Sequence, residues 1–145
     1  MKDLITDIKA ALQTSLTYVR DSDVFVTEHE IMLPPAVRFP AVGIKDGPIT
    51  YRVATKSQEN DTLLVKVIAY VQLQKPEAAI MGDAAAEQKG VLDVMADIRD
   101  ALKNNLLSGL ADSAWPEAET ESEVLVGDET QAIQMKILTM RYERY

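Results

Sequence analysis

Two stretches of this chain, Thr62–Gln72 and Thr130–Glu143, alternate in steps of two yet carry large apolar side chains on both sides of the alternation. In the first, Leu63, Val65, Val67, Ala69 and Val71 share one face while Leu64, Ile68 and Tyr70 stand opposite. In the second, Ile133, Met135 and Ile137 oppose Ala132, Leu138, Met140 and Tyr142. Successive strand residues point to opposite faces of a sheet, so strands of this kind need cover on both sides. The first reads as a central strand, and the last long strand is likewise two-sided.

The remaining segments supply the other elements. From Asp3 to Arg20, Leu4, Ile5, Ile8, Ala11, Leu12, Leu16 and Val19 recur at helical spacing, which predicts an amphipathic helix. A second apolar line, Val91, Leu92, Met95, Ile98 and Leu102, predicts another helix, with Asp83 as its cap and Asp93, Asp97 and Asp100 as a solvated face. Val24–Ile31 has the β-favouring side chains of a strand. Pro34, Pro35 and Pro40 make the following stretch an extended connection, because proline fixes φ and donates nothing to a ladder. A short strand, Ala41–Lys45, is followed by the turn residues Asp46, Gly47 and Pro48 and then by alternating Ile49–Ala54, a pattern that predicts a β-hairpin. The expected fold is a single α+β domain over residues 1–145. Its largely antiparallel β-sheet carries two amphipathic helices on one face, plus the hairpin.

Charge is unevenly spread. Asp112, Glu117, Glu119, Glu121, Glu123, Asp128 and Glu129 fall in one segment without Lys or Arg, while the rest of the chain is nearly balanced. A surface built from that segment is unsuited to gripping a phosphate backbone, which requires cations. No sequence-specific nucleic-acid binding is expected. If Glu119, Glu121 and Glu123 share one face of a strand, they form an acidic ladder past which DNA would slide, a candidate lumen lining; the alternative is a solubilising loop.

Reactive chemistry is sparse. With no cysteine there is no thiolate nucleophile and no Cys-based metal site. His29 is the only histidine, and alternation sends Glu28 and Glu30 to the face opposite its imidazole, so no metal site is expected there. No serine lies in a strand–turn–helix elbow, and no glycine-rich phosphate loop occurs. The expectation is a non-enzymatic protein with no catalytic residue, cofactor or metal. Asp3 and Asp7 interrupt the first apolar residues, unlike a signal peptide, and Lys66 breaks the most apolar stretch, so neither secretion nor a membrane partner is expected.

Two helices cover only one sheet face. The second face, with Leu64, Ile68 and Tyr70, together with the two-sided last strand and its Leu138, Met140 and Tyr142, is therefore expected to supply a subunit or partner interface. The competing arrangement folds the hairpin or the Pro-rich connection over that face.

The N-terminal helix, the segment Phe39-Pro-Ala-Val-Gly-Ile-Lys-Asp-Gly47, the strand Leu63–Leu73, one later helix and the final strand Ala132–Tyr142 resemble the tail terminator (tail completion) proteins of long-tailed bacteriophages and prophages. The resemblance covers nearly the whole chain and lies in element order and length. It implies a homo-oligomeric ring, typically a hexamer, in the virion tail, assembled in the bacterial host cytoplasm. Such a ring stops tail-tube polymerisation, so its partners are the tail-tube protein and the head connector, and DNA passes through its centre. Two alternatives stand beside it: another head–tail connector or completion protein, and a small non-enzymatic binding module using the exposed sheet face.

Overall fold

The two-faced strands lie side by side at the centre of one mixed sheet. A computed structural model describes residues 1–55, 58–126 and 132–145. The strands are β1 (Val24–Val26), β2 (Ala41–Thr55), β3 (Gln58–Gln72), β4 (Ser113–Glu119), β5 (Glu123–Val126) and β6 (Ala132–Arg144), and the helices are α1 (Lys2–Ser15), α2 (Pro76–Met81) and α3 (Val91–Leu102). The order across the sheet is β1-β2-β3-β6-β4, with β5 also pairing β6. Among the described residues β1 and β2 run parallel and every other pair is antiparallel. This is the expected α+β arrangement.

Both expected face assignments hold. Leu63, Val65, Val67, Ala69 and Val71 of β3 join Leu138, Met140 and Tyr142 of β6 in one core, against Leu4, Ile8 and Leu12 of α1 and Val91, Val94, Met95, Ile98 and Leu102 of α3. Ile68, Tyr70, Ile133 and Met135 form a second cluster on the other face with Phe25 and Ala41. That face is not left open. Leu33, Val37 and Phe39 of the Pro-rich connection pack against it, and the Tyr70 hydroxyl donates to the Glu30 carbonyl. Phe25 stacks on Tyr70 at 5.9 Å, in space that the missing side chain of Gly43 leaves free.

This overturns most of the expected interface. Ile68 and Tyr70 are fully buried under the connection, and Leu138, Met140 and Tyr142 are fully buried under the helices. Leu64 alone of the six remains half-buried. The helices do reach β6, and the connection does the covering that an association partner was expected to do.

Several boundaries also differ. Helix α1 ends at Ser15, not Arg20, because Thr17, Tyr18 and Val19 are weak helix formers and the chain must turn to reach β1; Leu16 and Val19 still point into the core. Strand β1 stops after Val26. The Thr27 hydroxyl lies 2.8 Å from the His29 carbonyl and accepts the His29 N–H, a local side-chain turn that competes with the ladder. Helix α3 starts at Val91, where the Asp93 carboxylate accepts the Gly90 N–H at 3.0 Å, whereas Asp83 caps no long helix and bridges to Gln88. Pro76 opens the short α2, since the first helical turn tolerates a residue with no N–H.

The hairpin is present with a different turn. Its arms are the whole of β2 and β3, paired from Ala41↔Tyr70 to Thr55↔Gln58, and Asp46-Gly47-Pro48 is a register shift inside β2. A bulge is a place in a strand that tolerates proline, because the ladder is already interrupted there and no N–H is needed.

Candidate functional site

The register shift at Asp46–Ile49 divides β2 into two halves with different surroundings. In the first half, β1 pairs with Val42, Gly43 and Ile44, and the Thr27 N–H bonds the Ile44 carbonyl. Beyond that point no strand lies along the outer edge of β2 among the described residues. Ile49 is the last residue on its face to touch the core. Tyr51 and Val53, next on that face, are 63% and 75% exposed. An unpaired strand edge beside two large exposed apolar side chains is the pattern of a surface awaiting another chain.

The opposite face of the same arms is polar. Thr50, Arg52, Asn60, Thr62, Arg141 and Glu143 line a shallow depression there. Arg141 joins Glu143 at 2.8 Å and Glu117 at 3.8 Å. These ion pairs are substantially exposed, and each contributes less than about 1 kcal/mol.

At the far side of the sheet, β4 and β5 lie end to end along β6. Ser113 pairs with Glu143, Glu119 with Leu138, and Glu123 with Met135. The register slips between Pro116 and Ala118 and again between Glu119 and Glu123. Each one-residue slip turns the following side chains to the other face. Glu119 therefore sits on the helix side with Leu138, whereas Glu123 sits on the connection side with Met135. The expected ladder of Glu119, Glu121 and Glu123 on one face does not form. Glu119 is also not a free acid, since it pairs with Arg99 of α3 and with Lys136 at 3.5 Å. Glu121 and Glu123 remain exposed, and Asp128 and Glu129 lie outside the described residues.

Other polar groups do structural work that periodicity concealed. Asp97, expected on a solvated helix face, accepts the Tyr18 hydroxyl at 2.6 Å and pairs with Lys89 at 2.9 Å; Lys89 also caps the Tyr18 ring at 4.6 Å. Burial raises the Tyr18 pKa, and Asp97 raises it further, so the phenol stays protonated. Partial burial opposes ionisation of Asp97, but Tyr18 and Lys89 outweigh it and hold its pKa below the usual carboxylate range. A tyrosine, an aspartate and a lysine distant in sequence leave no local signal that they meet.

His29 lies in the turn after β1, with Nδ1 3.4 Å from a Glu30 carboxylate oxygen. Lys66 reaches the same carboxylate at 3.0 Å. The backbone N–H of Glu30 and the Lys66 ammonium keep this carboxyl below its ordinary pKa. Among the described residues no group of three His, Asp or Glu side chains is placed to hold a metal, and no helix is long and apolar enough to cross a membrane.

Comparison with known protein families and with curated proteins gives no match. The distal half of the β2–β3 hairpin is the candidate site on geometry alone.

Proposed function

We propose that the chain is a structural subunit of a phage tail: a tail terminator that closes into a ring at the head-proximal end of the tail tube, ends tube polymerisation and offers the surface on which the head connector docks. The observation that carries this reading is the open outer edge of β2 with Tyr51 and Val53 exposed beside it. A fold that covers both faces of its central strands, including the one first expected to be free, leaves this apolar edge without an internal partner. An exposed edge is a liability unless another chain pairs with it or it is blunted by charge or proline. Between Ile49 and Thr55 the only charge is Arg52, and there is no proline. The resemblance in element order supports the same role. The role is one of assembly, in which the ring acts through its surfaces.

Native mass measurement and negative-stain imaging test it, on the chain alone over a wide concentration range and with tail-tube protein added. Closed rings capping the end of a tube are the expected result. A chain that stays monomeric under every condition, or rings that neither bind a tube end nor limit its growth, would overturn the reading.

A further inference from the structure

We propose that the free chain pairs with a second copy of itself, edge to edge along the distal half of β2, about a two-fold axis beside Tyr51. A two-fold contact closes with two copies and does not by itself build a ring. The pairing describes the chain before assembly and goes beyond the ring reading above.

The backbone decides which groups this edge offers. The Thr27 N–H bonds the Ile44 carbonyl, so Ile44 turns its backbone polar groups toward β1 and away from β3. Alternation then turns Gly43 and Lys45 toward their partners Ile68 and Lys66. Strand β3 keeps one unbroken register along β6, so Thr62 and Asn60 face β2 as Ile68 and Lys66 do, and they satisfy Thr50 and Arg52 from within the sheet. Ile49, Tyr51 and Val53 therefore direct their N–H and C=O groups outward, where no hydrogen bond meets them among the described residues. The bond from Thr27 is the last that β1 makes, so the lane beside these three residues holds no strand.

The edge is complementary to itself. In an antiparallel pairing centred on Tyr51, Tyr51 faces Tyr51 of the second copy and Ile49 faces Val53, all in the hydrogen-bonded kind of pair that exchanges two bonds. A two-fold axis perpendicular to the sheet keeps like faces on one side. Tyr51 and Val53, 63% and 75% exposed in one chain, then meet their counterparts and Ile49 in a single apolar strip. On the opposite face Arg52 stands across from Thr50. A register centred on Arg52 would instead set two guanidinium groups directly opposite each other, which is destabilising.

The charge of the whole molecule favours the same contact. The chain carries a net charge of −8, and the segment from Asp112 to Glu123, at the far side of the sheet, has five acids and no base. Ile49–Thr55 holds no acid and one base, Arg52. Two copies meeting at β2 keep their acidic strands at opposite ends of the joined sheet, several strand spacings of about 4.8 Å apart and beyond the screening length of about 8 Å at physiological salt. The pairing also closes the one apolar edge that would otherwise recruit strands from other chains.

Charge exchange at Tyr51 tests the contact, because this position faces its own copy. Sedimentation equilibrium of the unaltered chain without tail-tube protein should give twice the 16.0 kDa of one chain, dissociating on dilution. Tyr51→Glu and Tyr51→Lys, folded by circular dichroism, should each be monomeric at the same concentration. Mixed one to one, they should restore a dimer that contains one of each. Unaltered chain that is monomeric at every concentration, larger species in place of a dimer, a dimer of either variant alone, or a mixture that stays monomeric would overturn the pairing. A register readout comes from single cysteines, since the chain has none of its own. Oxidised with diamide, Tyr51→Cys should give a disulfide-linked dimer, because a hydrogen-bonded antiparallel pair holds its Cα atoms about 5.5 Å apart, within the disulfide range. Val53→Cys should not, because four residues at about 3.4 Å each separate it from its counterpart. Linkage through Val53 and not Tyr51 overturns the pairing centred on Tyr51. The ring reading is decided separately, by the unaltered chain with tail-tube protein present, so a failed dimer leaves it standing.

Discussion

Gly47 lies against the backbone of Leu64 so closely that a Cβ at Gly47 would stand 2.5 Å from the Leu64 carbonyl oxygen. Real Cβ atoms do not approach backbone that closely, so any side chain here must push β2 away from β3. Gly47→Ala is expected to destabilise the chain by about 1–3 kcal/mol, the range for inserting a methyl into a packed site. The check is a lower urea midpoint at an unchanged denaturant slope. A free turn at Asp46–Pro48 would tolerate alanine far better, so an unaltered midpoint would argue against the bulge.

Tyr70 ties the covering connection to the sheet through its hydroxyl bond to the Glu30 carbonyl, and Lys66 holds the Glu30 carboxylate in the same corner. Tyr70→Phe keeps the ring stacked on Phe25 and removes only the donor. The expected loss is about 0.5–1.5 kcal/mol. Hydrogen exchange should quicken in the Glu28–Leu33 turn before it does in β3 and β6. Equal quickening throughout would show that the hydroxyl does not anchor the turn.

How much of this was legible in the sequence depended on the range of each signal. The two faces of β3 and β6 could be read because alternation over ten or more residues averages out local exceptions. The helix faces were equally plain in Leu4, Ile8 and Leu12 and in Val91, Met95, Ile98 and Leu102. By contrast, Asp46-Gly47-Pro48 has the composition of a turn whether the chain reverses there or bulges, and only its pairing with Leu63 and Val65 distinguishes the two. The acidic ladder failed for a related reason. Alternation in Glu119, Glu121 and Glu123 assumes an unbroken register, and slips along β6 are invisible in the sequence. Placing Leu33, Val37 and Phe39 over Ile68 and Tyr70 required knowing where an irregular segment runs, for which periodicity offers nothing.

Asp23 should make stability fall in acid. Its buried carboxylate accepts Arg20 Nε at 2.6 Å, Arg20 Nη2 at 3.0 Å and the Arg38 N–H at 3.1 Å, joining the turn before β1 to the Pro-rich connection. The Arg20 hydrogen bonds foremost, with the Arg38 N–H, depress its pKa despite burial. A depressed carboxyl contributes stability that is present above its unfolded value of about 3.9 and is lost as pH falls through the folded value. Asp23→Asn should weaken folding at pH 7 by about 1.5–3 kcal/mol, the range for hydrogen bonds to charged groups. It should also flatten the decline in stability from about pH 5 downward. An equally steep decline in the variant would assign the acid sensitivity to other carboxylates.

Met140 and Tyr142 distinguish core from interface most directly. Both are fully buried on the helix side of β6, among Val65, Leu63 and Ala114 in register, with α3 packed above. Met140→Asp would place a carboxylate with no cation in this apolar layer, a change that typically exceeds about 4 kcal/mol and approaches the whole stability of a small domain. The chain should therefore unfold, as read by loss of near-ultraviolet circular dichroism and of a cooperative melt. Were these residues at a subunit seam, the same substitution would give a folded monomer. Tyr142→Phe should behave in the opposite way. The Tyr142 hydroxyl is buried without a hydrogen-bond partner among the described residues, and burial raises its pKa, so it stays a neutral, unsatisfied donor. Removing it is expected to leave stability unchanged or raise it by up to about 1 kcal/mol, and a clear loss of stability would reveal a partner for the hydroxyl.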